Sequence, residues 1–266
     1  TILESTPKDF GFDTEFWNCS ILADLIKINF DLEVSISSIS RHLKKIGLSY
    51  QRPGYRSTEQ SEDKIQTFLK HKFPRIQRLA KKIDADIGFE DESGVKVSEC
   101  KGKTWGVKGC TPQVYVPLKR GGYNVLSYIT NQGVLQYSVT DKNIDSDKFI
   151  SFLKQIIRNR SRPLILIIDR ASFHTSKKVR DFVRSHRHQI RIFFLPTHSP
   201  QLNPDEKVWN DIKNNRLRKS PSKTKQELKQ KLYRALRRLQ NNTSRVASFF
   251  MDKETKYASL TPDLIA

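Results

Sequence analysis

Three carboxylates stand where an element of regular structure should begin or end, a placement that suits the binding of divalent cations. Asp169 closes the run Ile165-Leu166-Ile167-Ile168. A continuous apolar run of that length marks a central strand buried on both faces. A carboxylate at its end emerges at the carboxyl edge of the sheet, where open α/β sheets place their ligands. Aspartate there equally caps a turn or the next helix. Asp91 closes Ile87-Gly88-Phe89-Glu90-Asp91, and by the two-residue period of a strand it shares a face with Ile87 and Phe89, while Glu90 and Glu92 point the other way. Those two acids, or a merely solvated strand end, are the competing readings. Glu206 follows Asn203-Pro204-Asp205, a helix start with Asn as N-cap and Pro at the first helical position. Glutamate three residues after such a cap also resembles a capping box, and the residues alone do not separate the two roles.

Taken together the three carry one chemistry. A pair of Mg²⁺ ions ~3.5–4 Å apart needs bridging and terminal oxygen ligands and drives in-line phosphoryl displacement by water or a 3′-hydroxyl. Carboxylates gathered this closely repel unless a cation is present. For Asp91 and Asp169 to meet, the strands that end in them must be neighbours.

The elements around them read as a mixed sheet. Strands are expected at Ile87–Asp91, Val95–Val97, Val114–Leu118, Tyr123–Thr130 and Val134–Thr140, separated by Gly, Asn and Pro signals. A helix through Phe149, Ile150, Phe152, Leu153, Ile156 and Ile157 follows, then the strand Leu164–Ile168, a helix near 175–186, and a further buried strand at Ile190–Leu195. Strands followed by helix, strand, helix, strand, helix give an α/β fold of RNase H-like type, a mixed sheet flanked by helices.

Ahead of that sheet lies a segment of different character. Residues 15–29 form a short helix with Phe16, Trp17, Ile21, Leu22, Leu25 and Ile26 inward, and Ile36, Ile39, Leu43 and Ile46 mark the buried stripe of a second. Its outer face offers Ser37, Ser38, Ser40, Arg41, His42, Lys44 and Lys45, Gly47 ends it, and a basic hairpin-like tail carries Arg52 and Arg56. Two helices with a polar, basic second face and a basic wing read as an N-terminal winged helix-turn-helix, with the bases on phosphates and the serines and His42 near base edges. The domain expectation is this module over 1–57, a helical linker over 58–84 interrupted at Pro74, the catalytic domain over 85–220, and a basic helical segment over 221–266.

Charge agrees with a polyanionic partner. The 266 residues hold 48 Lys+Arg against 28 Asp+Glu, a formal net charge of +20, and each phosphate neutralised releases condensed counterions. Residues 1–40 carry seven acids and two bases, 41–56 five bases and no acid, and Lys213–Arg238 eleven bases and one acid. So basic surfaces flank a region that concentrates carboxylates. The Lys213–Arg238 run reads as a DNA-contacting helical tail, or as a solvated face over Leu228, Leu232, Leu236 and Leu239. Cys19, Cys100 and Cys110 lack CxxC spacing, against a zinc site or disulfide framework and in keeping with a reducing compartment. No stretch approaches the ~20 apolar residues that span a bilayer.

Several blocks resemble the signatures of mariner-like DDE transposases and their bacterial insertion-sequence relatives: DESG at 91–94, LIIDRASFH at 166–174, LPTHSPQLNPDEKVWNDIK at 195–213, Lys103-Thr104-Trp105 with Gly109-Cys110-Thr111-Pro112, and Phe149-Ile150-Ser151-Phe152-Leu153. The resemblance runs from about residue 7 to 220. It implies an RNase H-like core with Asp91, Asp169 and Glu206 as ligands of Mg²⁺ (two ions, Mn²⁺ as substitute), and cut-and-paste transposition into TA dinucleotides. It also implies transposon-end and target DNA as partners, a homodimer that holds two ends, and a cytoplasmic, nucleoid-associated setting in a bacterium or a nuclear one in a eukaryote. His174 matches a recurrent family position and is expected at the catalytic rim, near the scissile phosphate. The chain departs from the family pattern at Arg170, where Asn is usual, at Asp205, where the family is apolar, and at His198, where an aromatic is common. The family usually has a further helix-turn-helix N-terminal to this one, which these residues are not expected to form. A nuclease without strand transfer and an inactive DNA-binding descendant are the rival expectations.

Overall fold

The computed structural model describes residues 3–51, 57–99, 112–113, 115, 121–158, 160–217 and 222–259. The expected strand at Val114–Leu118 apart from Tyr115, the Lys103–Pro112 motifs apart from Pro112, and Arg52 and Arg56 lie outside those residues. The chain divides into two compact units, Thr1–Arg56 and Ser57–Ala266.

In the first unit α1 (Cys19–Phe30) starts where the Asn18 side chain accepts from the Ile21 amide, and α2 (Ile36–Lys45) starts at Ser35 in the same way. Gly47, at φ 85°, ends it as expected. Leu22 and Ile39 are the buried residues of these two helices. Phe16, Ile36 and Ile46, expected inside, are instead more than half exposed. Two short helices touch around one crossing, and Ile36 and Ile46 sit at the ends of α2, beyond it.

The second unit begins with α3 (Glu62–Thr67), a π-helical stretch at Phe68–Lys72, and α4 (Phe73–Lys82). Pro74 has no amide to offer the preceding turn. The wider π turn before it takes up the mismatch, so the axis continues where a break was expected. Phe68, Phe73, Ile76 and Ala80 are core residues, so this segment is part of the unit rather than a connector.

The sheet follows: β1 (Asp86–Lys96), β2 (Gly122–Thr130), β3 (Leu135–Thr140), α5 (Ser146–Ile157), β4 (Leu164–Ile168), α6 (Lys177–Ser185) and β5 (Ile190–Phe194). The expected strands at 87–91 and 95–97 are one continuous strand, because β1 pairs with β2 from Gly88 to Lys96 without interruption. Strand order is β3-β2-β1-β4-β5. β1 and β2, and β2 and β3, run antiparallel. β1 and β4, and β4 and β5, run parallel. β5 is therefore an edge strand with only Ile190 buried, not the buried strand its apolar sequence suggested.

Two hydrophobic clusters cover the sheet. Phe89, Val125, Ile129, Ile165 and Ile167 face α4 and the C-terminal elements, α7 (Glu206–Asn210) with its π-helical continuation Asp211–Leu217, α8 (Lys225–Gln240) and α9 (Thr243–Ser248). Leu126, Tyr128, Leu164, Leu166 and Ile168 face α5 and α6. Leu228, Leu232, Leu236 and Leu239 of α8 are all buried, so the basic C-terminal helix is anchored on the sheet. No described helix is long and apolar enough to cross a membrane.

Candidate active site

Parallel pairing of β1 with β4 sets the first two acids side by side. The register runs from Asp86↔Leu164 to Phe89↔Ile167, and the same offset carried two residues further aligns Asp91 with Asp169. Both follow residues of one face, Phe89 and Ile167, so both emerge beside the C-terminal elements.

The third acid arrives on the loop after β5, and buried hydrogen bonds fix that loop. Asn203 Nδ2 donates to the Glu90 carbonyl at 2.9 Å, and Asn203 Oδ1 accepts from the Asp205 amide at 3.1 Å. Ser127 Oγ donates to Asp205 Oδ2 at 2.7 Å, and Tyr257 Oη donates to the Leu202 carbonyl at 2.7 Å. Ser127 is the cross-strand partner of Asp91, so the bond from Ser127 to Asp205 sets the adjacent Glu206 over Asp91. The capping-box reading of Glu206 fails, because the Asn203 amide is already committed to the Pro200 carbonyl at 2.8 Å.

Asp91, Asp169 and Glu206 thus line one cleft of about 430 Å³ with Arg170, Pro196, His198 and Asn203. Burial, then the charges of Glu206, Asp205, Glu90 and Glu92, hold the Asp91 carboxyl well above its ordinary range. Glu206 is raised as well, first by burial and further by Asp169, against the opposing pull of Lys213 and Lys207. Asp91 Oδ2 is buried without a hydrogen-bond partner among the described residues. A buried carboxylate oxygen with no donor, beside two more acids, has the donor chemistry of a hard divalent cation's ligand set.

Behind this row lies a network that sequence reasoning only partly found. His174, expected on the rim, is 1% exposed. Its ring packs between Phe149 and Phe173, at centroid distances of 4.4 and 4.2 Å. Nδ1 lies 2.8 Å from Asp169 Oδ1, and Nε2 lies 3.3 Å from Glu90 Oε2. The apolar contacts draw the ring under the strand end, so His174 positions Asp169 and does not face the cleft. Burial opposes its charged form, but Glu90 and the bond to Asp169 outweigh that and push the imidazole up to about 10. Burial raises Asp169 too, yet the His174 bond and the Ala171 amide win and hold it below the ordinary value. Glu90, fully buried, is raised by burial. Glu92 is pushed up to about 7, mainly by burial and then by Glu90 and Asp169. Glu90, Glu92 and His174 bring three ligand-type atoms within 4.8 Å of one another on the opposite face of β1, so Asp91 is the acid of the three in 90–92 that lines the cleft. The alternation of acids along β1 was the available signal for Glu90; nothing in the sequence linked Ser127 to Asp205.

The departures from the family pattern have local explanations. Arg170 turns onto the ring of Phe194, 4.9 Å from its centroid. Asp205 is fully buried on Ser127, and burial raises its pKa well above the usual range. His198 takes φ 55° and pairs with Glu59 at 2.8 Å. In the first unit Ser37, Arg41, His42, Lys44 and Lys45 belong to α2 and its polar side, where Arg41, His42, Lys44 and Lys45 include no buried residue. Ser38 is tied to the Ser35 cap, and Ser40 is half-buried.

Comparison with known proteins bears on the whole arrangement. The model of the DDE superfamily endonucleases matches residues 86–229, more than half of the chain and a span that contains all three acids. The chain belongs to that family. A winged helix-turn helix family matches residues 13–72, so that match extends past the compact unit through α3 and the π-helical stretch that follows it. Among curated relatives of this DDE superfamily chain, an uncharacterized 39 kDa protein of insertion element IS630 from Shigella sonnei is 24% identical over 220 residues. The match covers 79% of this chain but only 61% of that relative. Among solved structures, the Mos1 mariner paired end complex with Mn shares the fold with a TM-score of 0.63 at 14% identity, covering 96% of this chain and 78% of that one. The Mos1 strand transfer complex gives 0.61 at 15% identity, covering 94% and 81%. The RNase H-like fold and the resemblance to mariner-like and insertion-sequence proteins therefore stand.

The network is open to two measurements. Replacing Asn203 with Ala leaves the Glu90 carbonyl and the Asp205 amide unsatisfied, at a cost of about 1–3 kcal/mol; the urea midpoint should fall accordingly, and an unchanged midpoint would remove Asn203 as the anchor of the loop. For Glu92, the ordinary value is 4.5 and the folded value about 7. Between those values the folded state binds more protons than the unfolded, so metal-free stability falls as pH rises through that window. Glu92→Gln should remove its share of that slope, and parallel stability curves for the two proteins would contradict the burial of Glu92.

Proposed function

We propose that this chain is a DNA transposase of the mariner and insertion-sequence type, which cuts DNA at element ends and joins the freed 3′-hydroxyl to target DNA. The observation that carries the reading is the convergence of Asp91, Asp169 and Glu206, from two parallel strand ends and a helix start, on one cleft. The donor set fits divalent ions, and Asp91, Asp169 and Glu206 would hold two Mg²⁺ or Mn²⁺. Mos1, the mariner relative in fold, has been crystallised as a paired end complex with each of those metals. When bound, such ions lower the pKa of the attacking water or hydroxyl and offset charge building on the phosphate.

The chain's own residues do the rest. His174, anchored on Glu90, holds Asp169 Oδ1 in one orientation. Asn203 and Ser127 hold the segment that bears Glu206. Because burial and mutual repulsion keep Asp91 and Glu206 prone to protonation, protons and divalent ions compete for the cleft. Water first attacks the phosphodiester and the 3′-oxygen departs as a hydroxyl; that hydroxyl then attacks a target phosphodiester and displaces its strand. Insertion at TA follows from the family resemblance and suits a step that deforms easily. Arg41, Lys44 and Lys45 of α2, with Arg52 and Arg56, contact phosphates, and Ser37, Ser38, Ser40 and His42 lie near base edges. Holding two ends together calls for a homodimer.

Supercoiled plasmid should be nicked in Mg²⁺ or Mn²⁺ by the unaltered chain and not by Asp169→Asn, and equal nicking by both would sink the assignment. Pre-cleaved ends then separate transposase from nuclease, since only the former joins them to a target. Lys44→Ala should lower the slope of log K against log salt by about one; an unchanged slope takes Lys44 off the DNA-binding surface.

A further inference from the structure

The open edge of β5 carries a feature that the cleft and α2 do not use. Arg180 and Arg184 share one side of α6 at i and i+4, Arg187 follows in the turn after it, and all three are exposed. Arg191 stands beside them on β5. Together with Val179, Val183 and Ile190 these four arginines line a cleft of about 500 Å³. A second cleft of about 320 Å³, lined by Lys72 and Arg75, shares Leu79, Phe193 and Phe194 with the first. Phe194 is also the ring on which Arg170 rests, and Arg170 lines the catalytic cleft. The three are therefore linked along one strand edge, and among the described residues no acid lines either of the two basic clefts.

We propose that this edge is a track for the phosphate backbone of DNA running to or from the catalytic cleft. The inference rests on the DNA-processing reading above and adds the path that the substrate takes. Guanidinium groups offer planar forks of donors that match phosphate oxygens. Arg191 Nε is buried without a hydrogen-bond partner among the described residues, which leaves a donor open to an acceptor brought by a ligand. The nearest compensating acid, Asp181, lies 3.7 Å from Arg184, and both are largely exposed, so it neutralises little. Arg180 and Arg184 are about one turn of α6 apart, about 6 Å or roughly two phosphates of one strand, and Arg187 and Arg191 extend the same cleft. An exposed edge strand also invites a second copy of the chain, but edge-to-edge pairing would set the same arginines against each other.

The test uses the full chain and a random-sequence duplex titrated at a series of salt concentrations, with unaltered protein and the triple variant Arg180→Gln, Arg184→Gln, Arg187→Gln. The variant should bind at least tenfold more weakly at low salt. Its slope of log K against log salt should be smaller by roughly 0.9 for each phosphate no longer neutralised, about three in all. Its melting temperature should match the parent, since all three side chains are exposed. Affinity and slope equal to the parent would overturn the track, and would do so equally if sedimentation showed that the variant had only lost self-association. Plasmid nicking by the unaltered chain keeps the two readings apart. Nicking with an unchanged slope overturns the track alone; a lowered slope without nicking supports the track and counts against the transposase.

Discussion

The cost of assembling negative charge at one end of a sheet governs this molecule. Asp91, Asp169 and Glu206 share a cleft, while Glu90, Glu92 and Asp205 lie just behind it and raise Asp91 or its neighbours by their charge. In a low-dielectric setting such a cluster flies apart or takes up protons unless something opposes it. What opposes it among the described residues includes the pull of Lys213 and Lys207 on Glu206 and a small set of fixed contacts: a histidine clamped between two phenylalanines, an asparagine on a strand carbonyl, and a serine on a buried aspartate. Removing His174 or Ser127 loosens a cleft acid without touching the cleft lining; Asn203 lines the cleft as well.

The sheet separates these jobs by parity. Side chains on one face of β1 reach the cleft and those on the other reach His174, so of the adjacent residues 90, 91 and 92 the middle one lines the cleft and the outer two lie on the histidine side. Apolar residues in register hold the two sides apart. Phe89 and Ile167 lie beneath the aspartates, and Leu166 and Ile168 lie beneath the histidine. That division also explains why Asp169 alone of the three cleft acids keeps a depressed pKa: it receives both a ring nitrogen and a backbone amide.

Much of this was legible in the residues, for identifiable reasons. The Leu164–Ile168 run could only be a central strand, and strand parity singled out Asp91 among its acidic neighbours. Asn203-Pro204 announced a turn just ahead of the helix that carries Glu206, but α7 starts at Glu206 with Asp205, not Asn203, at its N-cap, because the Asn203 side chain is taken by the Glu90 carbonyl and the Asp205 amide. Non-local pairing was not legible. Nothing near Ser127 announces Asp205, and nothing near Phe149 announces that it will cover His174 and draw that ring off the rim. Apolar content misled in the same way for β5 and for Ile36 and Ile46, where composition suggested burial and position at an edge or a helix end denied it. Motifs outside the described residues, such as Lys103-Thr104-Trp105, carry their weight by resemblance alone.

The π-helical stretch Asp211–Leu217, directly after the short helix of Glu206, has a consequence for how such a protein changes over generations. A π turn holds one more residue than an α turn over the same closure, so the chain here contains slack. Upstream, Glu206 is fixed by its loop; downstream, Asp211 is fixed by Arg216 at 2.8 Å and Arg245 at 3.0 Å. Loss of a residue within the π stretch can be absorbed by its reverting to α, downstream of Glu206 and of the Asp211–Arg245 pair. The segment next to Glu206 is thereby insulated from the loss of a residue downstream, and lineages can shorten the π stretch while Asp91, Asp169 and Glu206 keep their places.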